Sequence, residues 1–320
     1  MLTIALLGFI TSLITIRPYI KLVTSEVKFT HIAKEYKSNF KLNNKSVDTS
    51  NNKKKFEKAD DEVSLDTQIT LNLFEDLKYD LKTIRSGSRV KPVYLSKLPK
   101  DLKKIKSTQK KKDTFIKIVM PLIIDENSKI LDNRKKLFKI LGKQNNSRGE
   151  KVWLKRRFED YEIKNEDVTE LKVRMDIIPV SIAIAQAAKE SGWGTSRFAL
   201  EGNALFGQWT WSKKGISPKN KDPNQTHKIL QFQILKASVR AYKNNLNTHN
   251  AYREFREARA QLRQKNEIIN GLHLTKYLKN YASIGEKYVA ILEDIIEKNR
   301  LTDFDKADLL PTKLKTGVAL

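Results

Sequence analysis

The run Pro179–Trp211, PVSIAIAQAAKESGWGTSRFALEGNALFGQWTW, constrains this chain more than any other stretch. Its first half reads as a buried helix. Pro179 suits a first helical turn, where a missing N–H costs nothing. Ile178, Ile182 and Ala185 fall at helical spacing, and Ile184, Ala187 and Ala188 lie beside them, so apolar residues cover most of its surface. Gly192 and Gly194 then stop the helix. Glu190 is thereby placed in the last turn, between small apolar residues and Trp193.

That position has chemical consequences. A helix C-terminus carries partial negative charge and disfavours a carboxylate. Apolar surroundings disfavour the charged form as well. Both effects push the Glu190 pKa upward, and a carboxylic acid still protonated near neutral pH is what a general acid requires. Glycoside hydrolysis needs such an acid for the leaving oxygen. A Glu at a helix end is ordinarily a solvated surface residue, but the residues that follow this one alter the reading. Trp193, Trp209, Trp211 and Phe206 crowd together, interleaved with Gly194, Gly202 and Gly207. Aromatics on a Gly-rich loop suit stacking against sugar rings; a core plug is the other use, for Trp193 above all.

The remaining sequence supplies organisation. Met1–Ile16 is an apolar run, shorter than the roughly 20 residues a membrane-spanning helix needs, and reads as an export signal or short anchor within residues 1–27. Residues 28–89 are polar and rich in Lys and Asn; Asn43–Glu62 has almost no apolar content and is expected to be disordered, and 28–89 reads as a tether. A short amphipathic helix fits Ile69–Leu81. Ser107 is a plausible N-cap for a helix to about Ile124, broken at Pro121, with another helix near Glu126–Leu141. Further helices are expected at Val152–Tyr161, Asp167–Arg174, Ser238–Leu246, Ala251–Arg263 and Lys287–Asn299. Ser212–Ile234 reads as a loop or small hairpin with a β-like piece at Leu230–Ile234. Phe304–Leu320 reads as a loose tail.

With Lys and Arg at 62 against 37 acids, the net charge of +25 implies attraction to polyanions. Zinc-finger spacing and RNP-type aromatics are absent, so nucleic acid is not the expected partner; anionic envelope surfaces fit better. There is no cysteine, hence no disulfide and no Cys nucleophile. The four His have no HExxH spacing, and Walker, Rossmann and G-x-S-x-G patterns are missing. Neither cofactor nor metal is expected.

AQAAKESGWGTSRFALEGNALFGQWTW closely resembles the glucosaminidases of glycoside hydrolase family 73, in particular their Bax-type branch. NLNTHNAYREFR (Asn245–Arg256), YASIGEKYVAILEDIIEKNRL (Tyr281–Leu301) and, upstream, LPKDLKKIKSTQKKKDTFIKIVMPLI also match, so the resemblance covers roughly residues 90–301. It implies a mostly α, lysozyme-like catalytic domain over 90–301, with a small β-lobe or hairpin beside the cleft and a tail at 302–320. It implies cleavage of the β-1,4 bond after N-acetylglucosamine in peptidoglycan strands; with the N-terminal apolar run read as an export signal or anchor, the protein is expected to be exported and monomeric. The Glu of its ESGWG motif is the catalytic acid and maps onto Glu190; the Tyr of its YA motif lines the active site and maps onto Tyr281, a catalytic candidate whose hydroxyl would orient water or the substrate's acetamido group. Trp193, Asn203, Phe206, Gln208 and Trp209 are the expected substrate contacts.

The second catalytic group is left open. Asp222 is the only carboxylate between Glu201 and Glu254, so it is the acidic candidate there, with His227 a weaker one. The substrate's own N-acetyl oxygen is the alternative. A lytic transglycosylase, which also needs one Glu, and a non-catalytic wall- or membrane-binding protein are the other readings.

Overall fold

The computed structural model describes residues 66–210, 215–217 and 228–311. The apolar N-terminal run, the Asn43–Glu62 stretch, Trp211, Asp222, His227 and residues 312–320 lie outside the described residues. The described chain is mostly α, with one small antiparallel sheet. Its helices are α1 (Thr67–Asp76), α2 (Leu81–Arg85), α3 (Thr108–Leu141), α4 (Arg148–Asp160), α5 (Val168–Arg174) and α6 (Val180–Ser191). After them come α7 (Arg197–Gly202), α8 (Leu235–Thr248), α9 (Arg253–Gln264), α10 (Gly271–Leu274) and α11 (Glu286–Lys298). Strands β1 (Trp209–Thr210), β2 (Gly215–Ile216) and β3 (Lys228–Leu230) pair in the order β1-β3-β2.

Helix α6 is the central element. Every residue from Val180 to Ala188 is buried, and α3, α10, α11 and the 3-10 turn Leu301–Phe304 pack around it. A helix apolar on all sides has to sit inside the body, as the sequence pattern requires. Asn127 of α3 clamps its entry, donating from Nδ2 to the Ile178 carbonyl (2.7 Å) and accepting the Ile178 N–H (3.2 Å). A second core forms between the end of α3, α4 and α5, from Ile130, Leu137, Phe158, Tyr161, Ile163, Leu171 and Met175.

Several expectations change; the strand expected at Leu230–Ile234 lies at Lys228–Leu230, and the helix expected at Ile69–Leu81 ends at Asp76. The break at Pro121 does not occur: α3 runs unbroken through it for 34 residues, capped by the Ser107 hydroxyl as expected. A proline inside a helix costs about 3 kcal/mol, and here the burial of Phe115, Ile116 and the run Ile118–Ile124 offsets it. The tether does not extend to residue 89. Residues 66–85 form α1 and α2, and Phe74, Tyr79, Leu81 and Ile84 are buried; Arg85 reaches the Asn299 carbonyl (2.9 Å). Nor is the start of the tail loose. Phe304 is buried, the Val90 N–H donates to Asp308 O, and the Leu310 N–H donates back to Val90 O, each at 2.8 Å.

Polar residues tie the helices together at one buried carboxylate. Asp176, 2% exposed, takes two hydrogen bonds from the Arg263 guanidinium at 3.0 and 3.1 Å. Arg134 approaches it at 3.7 Å. The fully buried Arg259 spans the carbonyls of Val173, Asp176 and Ile177.

Candidate active site

Glu190 closes α6, and its surroundings follow from how that helix ends. Gly192 adopts the left-handed conformation, φ +58°, that ends helices and that glycine takes without steric cost. The Ser191 hydroxyl donates to Ala187 O (2.6 Å) and accepts the Gly194 N–H (2.9 Å). The chain therefore turns sharply just past Glu190. Trp193 shares the left-handed geometry, φ +57°, a strain of about 1–2 kcal/mol for a residue with a Cβ. Its ring meets Phe115 edge-on (5.9 Å) with the Lys112 ammonium above it (4.9 Å). Trp193 is thus half plug and half surface.

The Glu190 carboxyl lies between two elements that come from far along the chain. Its Oε1 accepts the Tyr288 hydroxyl of α11 at 2.9 Å. Its Oε2 faces Gly207, where a Cβ would lie only 3.3 Å away. Gly207 has φ +62°, so glycine here answers both the backbone conformation and the closeness of the carboxyl. Burial raises the Glu190 pKa; the Tyr288 hydrogen bond and the Lys189 charge act against it without reversing it. The sequence argument for a raised pKa holds in direction, with burial as its main cause.

Behind Glu190 a tyrosine cluster fills the site. Tyr288 also accepts from Gln186 Nε2 (3.0 Å), and Gln186 Oε1 accepts from Tyr242 (2.6 Å). The Tyr281 ring stacks on Tyr288 (5.6 Å, 8°), and Tyr242 stacks on Phe206 (3.9 Å, 6°). Burial, followed by its Tyr288, Tyr242 and Glu190 neighbours, pushes the Tyr281 hydroxyl pKa well up, so it is a neutral donor. It donates to the Phe206 carbonyl at 2.9 Å.

The structure places the expected contacts unevenly. Tyr281 and Phe206 stand in the cluster next to Glu190, but the Phe206 ring is buried and its carbonyl is taken by Tyr281. Asn203 is buried too: its Nδ2 donates to Phe232 O and Gln233 O, both 3.0 Å, tying α7 to the segment after β3. Gln208 follows Gly207 and holds a buried side-chain oxygen with no hydrogen-bond partner among the described residues. Trp209 lies in β1, paired with Ile229. Among the described residues no group of three His, Cys, Asp or Glu stands together as a metal site would require.

Sequence reasoning missed Gln186 and Tyr288. Gln186 carried a signal: a lone amide in an otherwise apolar helix, four residues before Glu190 and so on the same face. Tyr288 was hidden in the apolar face of α11.

Comparison with known proteins gives three likenesses. Residues 165–301 match the model of the glucosaminidase family, described as mannosyl-glycoprotein endo-β-N-acetylglucosaminidase. Protein bax of Escherichia coli (strain K12) is 35% identical over 211 residues, covering 64% of this chain and 75% of that protein. The crystal structure of the catalytic domain of the autolysin Auto from Listeria monocytogenes is similar at 18% identity and a TM-score of 0.29, over 55% of this chain and 97% of that one.

Proposed function

The chain belongs to the glucosaminidase family of glycoside hydrolases, and from that premise we propose that it cleaves the β-1,4 bond after N-acetylglucosamine in peptidoglycan strands, with Glu190 as general acid. The observation that carries this reading is the half-buried Glu190 carboxyl, with its pKa raised by burial and one oxygen facing a residue that has no side chain. Protonated, Glu190 donates to the leaving oxygen as the glycosidic bond breaks.

Tyr281 acts through shape and polarity, since its hydroxyl is already engaged with Phe206 O. The positive charge that develops on the sugar is met by the substrate's own N-acetyl oxygen or by a water activated at Asp222. Gln208 supports the substrate assignment, because its buried oxygen has no hydrogen-bond partner among the described residues. Trp193 offers its free ring surface to a sugar face. In this reading the catalytic unit includes α1 and α2 as well as residues 90–301. It works as a monomer in the cell envelope, where its basic surface suits anionic polymers and where the N-terminal apolar run serves as export signal or anchor. Among the described residues no helix is long and apolar enough to cross a membrane.

The test is solubilisation of purified peptidoglycan by the full chain, wild type against Glu190→Gln. Gln keeps size and hydrogen bonding and removes the transferable proton. The expected result is fragment release by wild type alone, with reducing N-acetylglucosamine ends by mass spectrometry. Anhydro-muramic ends would make it a transglycosylase. Equal release by both proteins would remove Glu190 from the mechanism, and binding of sacculi without release by either would make it a binding protein.

A further inference from the structure

Gln186 is completely buried in the middle of α6, and an amide in such a place is costly unless both its ends are hydrogen-bonded. Both ends are used. Tyr242 has one hydroxyl proton and gives it to Gln186 Oε1 (2.6 Å). With its oxygen so occupied, the amide turns its NH2 to Tyr288, whose oxygen accepts at 3.0 Å. Tyr288 in turn has one hydroxyl proton, and Glu190 Oε1 lies 2.9 Å away to receive it. Donors and acceptors thus run in one direction over four side chains and end on one oxygen of the acid. Tyr281 does not compete for Glu190, because its hydroxyl goes to Phe206 O.

We propose that Tyr288, oriented by Gln186 and Tyr242, is a positioning residue that holds Glu190 Oε1 as a permanent acceptor, so that Oε2 is the oxygen that carries the transferable proton. The inference rests on the reading of Glu190 as the acid and specifies which half of its carboxyl acts. Oε1 accepts from Tyr288 whether the carboxyl is neutral or charged. Oε2, on the side of Gly207, where a Cβ would lie 3.3 Å away, is the half left for the substrate. The relay also stabilises the carboxylate left behind after proton transfer, since a hydrogen bond to the charged form favours it. The titratable groups that face Glu190 are Tyr288 from α11, Tyr281 from the 3-10 turn before it and Lys189 on its own helix. Only Tyr288 is hydrogen-bonded to it among the described residues.

The test reads Glu190 directly and does not depend on turnover. The side-chain carboxyl carbons of glutamate are labelled with 13C in the full chain, the Glu190 signal is assigned by its loss in Glu190→Gln, and it is titrated by NMR. Tyr288→Phe is expected to raise the Glu190 pKa by about one unit, the loss of a hydrogen bond to a charged group. Gln186→Leu, which removes the donor to Tyr288 and the acceptor of the Tyr242 proton, is expected to raise it by less, with Tyr288 intact. Tyr242→Phe, the mildest change, shifts it in the same direction by less. A structural role alone would lower the melting temperature and leave the titration in place. An unchanged pKa in Tyr288→Phe, or an unchanged or lowered one in Gln186→Leu, overturns the proposal; should Gln186→Leu fail to fold, the two Tyr→Phe variants decide it. If the wild type proves inactive on peptidoglycan, the titration still decides the relay, and the two readings fail separately.

Discussion

Gly207→Ala perturbs the site in two ways that can be measured apart. The first is backbone strain. Gly207 has φ +62°, and placing a Cβ in the left-handed region costs about 1–2 kcal/mol. For a body of 150–250 residues each kcal/mol lowers the melting temperature by about 2–4 °C, so a fall of roughly 2–8 °C is expected. The second is contact. The added methyl would stand 3.3 Å from Glu190 Oε2 and 3.8 Å from Glu190 Cβ, so the carboxyl has to give way by a few tenths of an ångström. A 1 Å misplacement in an active site can cost about a hundredfold, which makes a loss of about tenfold in kcat/KM reasonable here, or about 1.4 kcal/mol of transition-state stabilisation. The control is Gly87→Ala, also at positive φ (+96°) but with nothing within 4 Å of its added Cβ. It should lose stability and keep its rate. The assay is release of dye-labelled fragments from peptidoglycan, below both melting temperatures, alongside thermal melts. Full kcat/KM in Gly207→Ala would refute the placing of the acting oxygen beside Gly207, and an unchanged melting temperature would refute the left-handed strain.

Two further predictions concern pH. Burial raises the folded-state pKa of Glu190, so its contribution to stability is full below the ordinary carboxylate value near 4.3 and is lost as pH rises through the higher folded value. Glu190→Gln should therefore melt higher than wild type near neutrality and lose that advantage in acid; melts over a pH series that run parallel would sink this. Asp176 is the opposite case. Burial alone would raise its pKa, but Arg259, Arg263 and Arg134 hold it below the usual range, so its contribution is present above about pH 4 and lost as pH falls through the lower folded value. Asp176→Asn strands buried guanidinium charge at a cost of about 3–5 kcal/mol near neutrality. Urea unfolding should show that deficit narrowing in acid, and a deficit independent of pH would contradict the network.

What could be read from the sequence was local. The span of α6, the glycine that ends it, the Ser107 cap and the place of Glu190 in a last turn all depend on spacings of a few residues, and the structure places them as expected. What could not be read depends on partners far apart. Phe74, Tyr79, Leu81 and Ile84 are sparse in a polar stretch and look dispensable until the surface they cover is known. Pro121 reads as a break because propensity is local, whereas the packing that outweighs it is not. Asn203 and Phe206 were picked out by residue type and motif, but residue type does not say which way a side chain faces; both are buried. The link from Gln186 to Tyr288 spans 102 positions, beyond the reach of any periodicity.

If Glu190 is the general acid its oxygen has to keep its place, and both ends of its helix are fixed from late in the described chain, by Asp305 and Tyr288. At the start of α6 Pro179 offers no side-chain cap. Asp305, from beyond the last 3-10 turn, takes that role, accepting the Ser181 N–H and hydroxyl (both 2.8 Å) and the Gly271 N–H (2.9 Å). At the other end Tyr288 holds Glu190 itself (2.9 Å). The burial of Asp305 raises its pKa against those donors, so its carboxylate is kept at some electrostatic cost, as a group retained for geometry would be. Between these two points α6 is buried on all sides and has no room to slide, since close-packed interiors resist displacement. The proposed acid can therefore sit at the end of a helix, where the dipole disfavours its charge. Burial there raises the pKa in the direction the proposed chemistry needs, and the positional rigidity that a loop would lack comes from α11 and the docked segment after it. It follows that Asp305→Ala, 115 positions from Glu190 in sequence, should lower kcat more than KM even where the variant remains folded. A change confined to the melting temperature would show that pinning the start of α6 matters for stability alone.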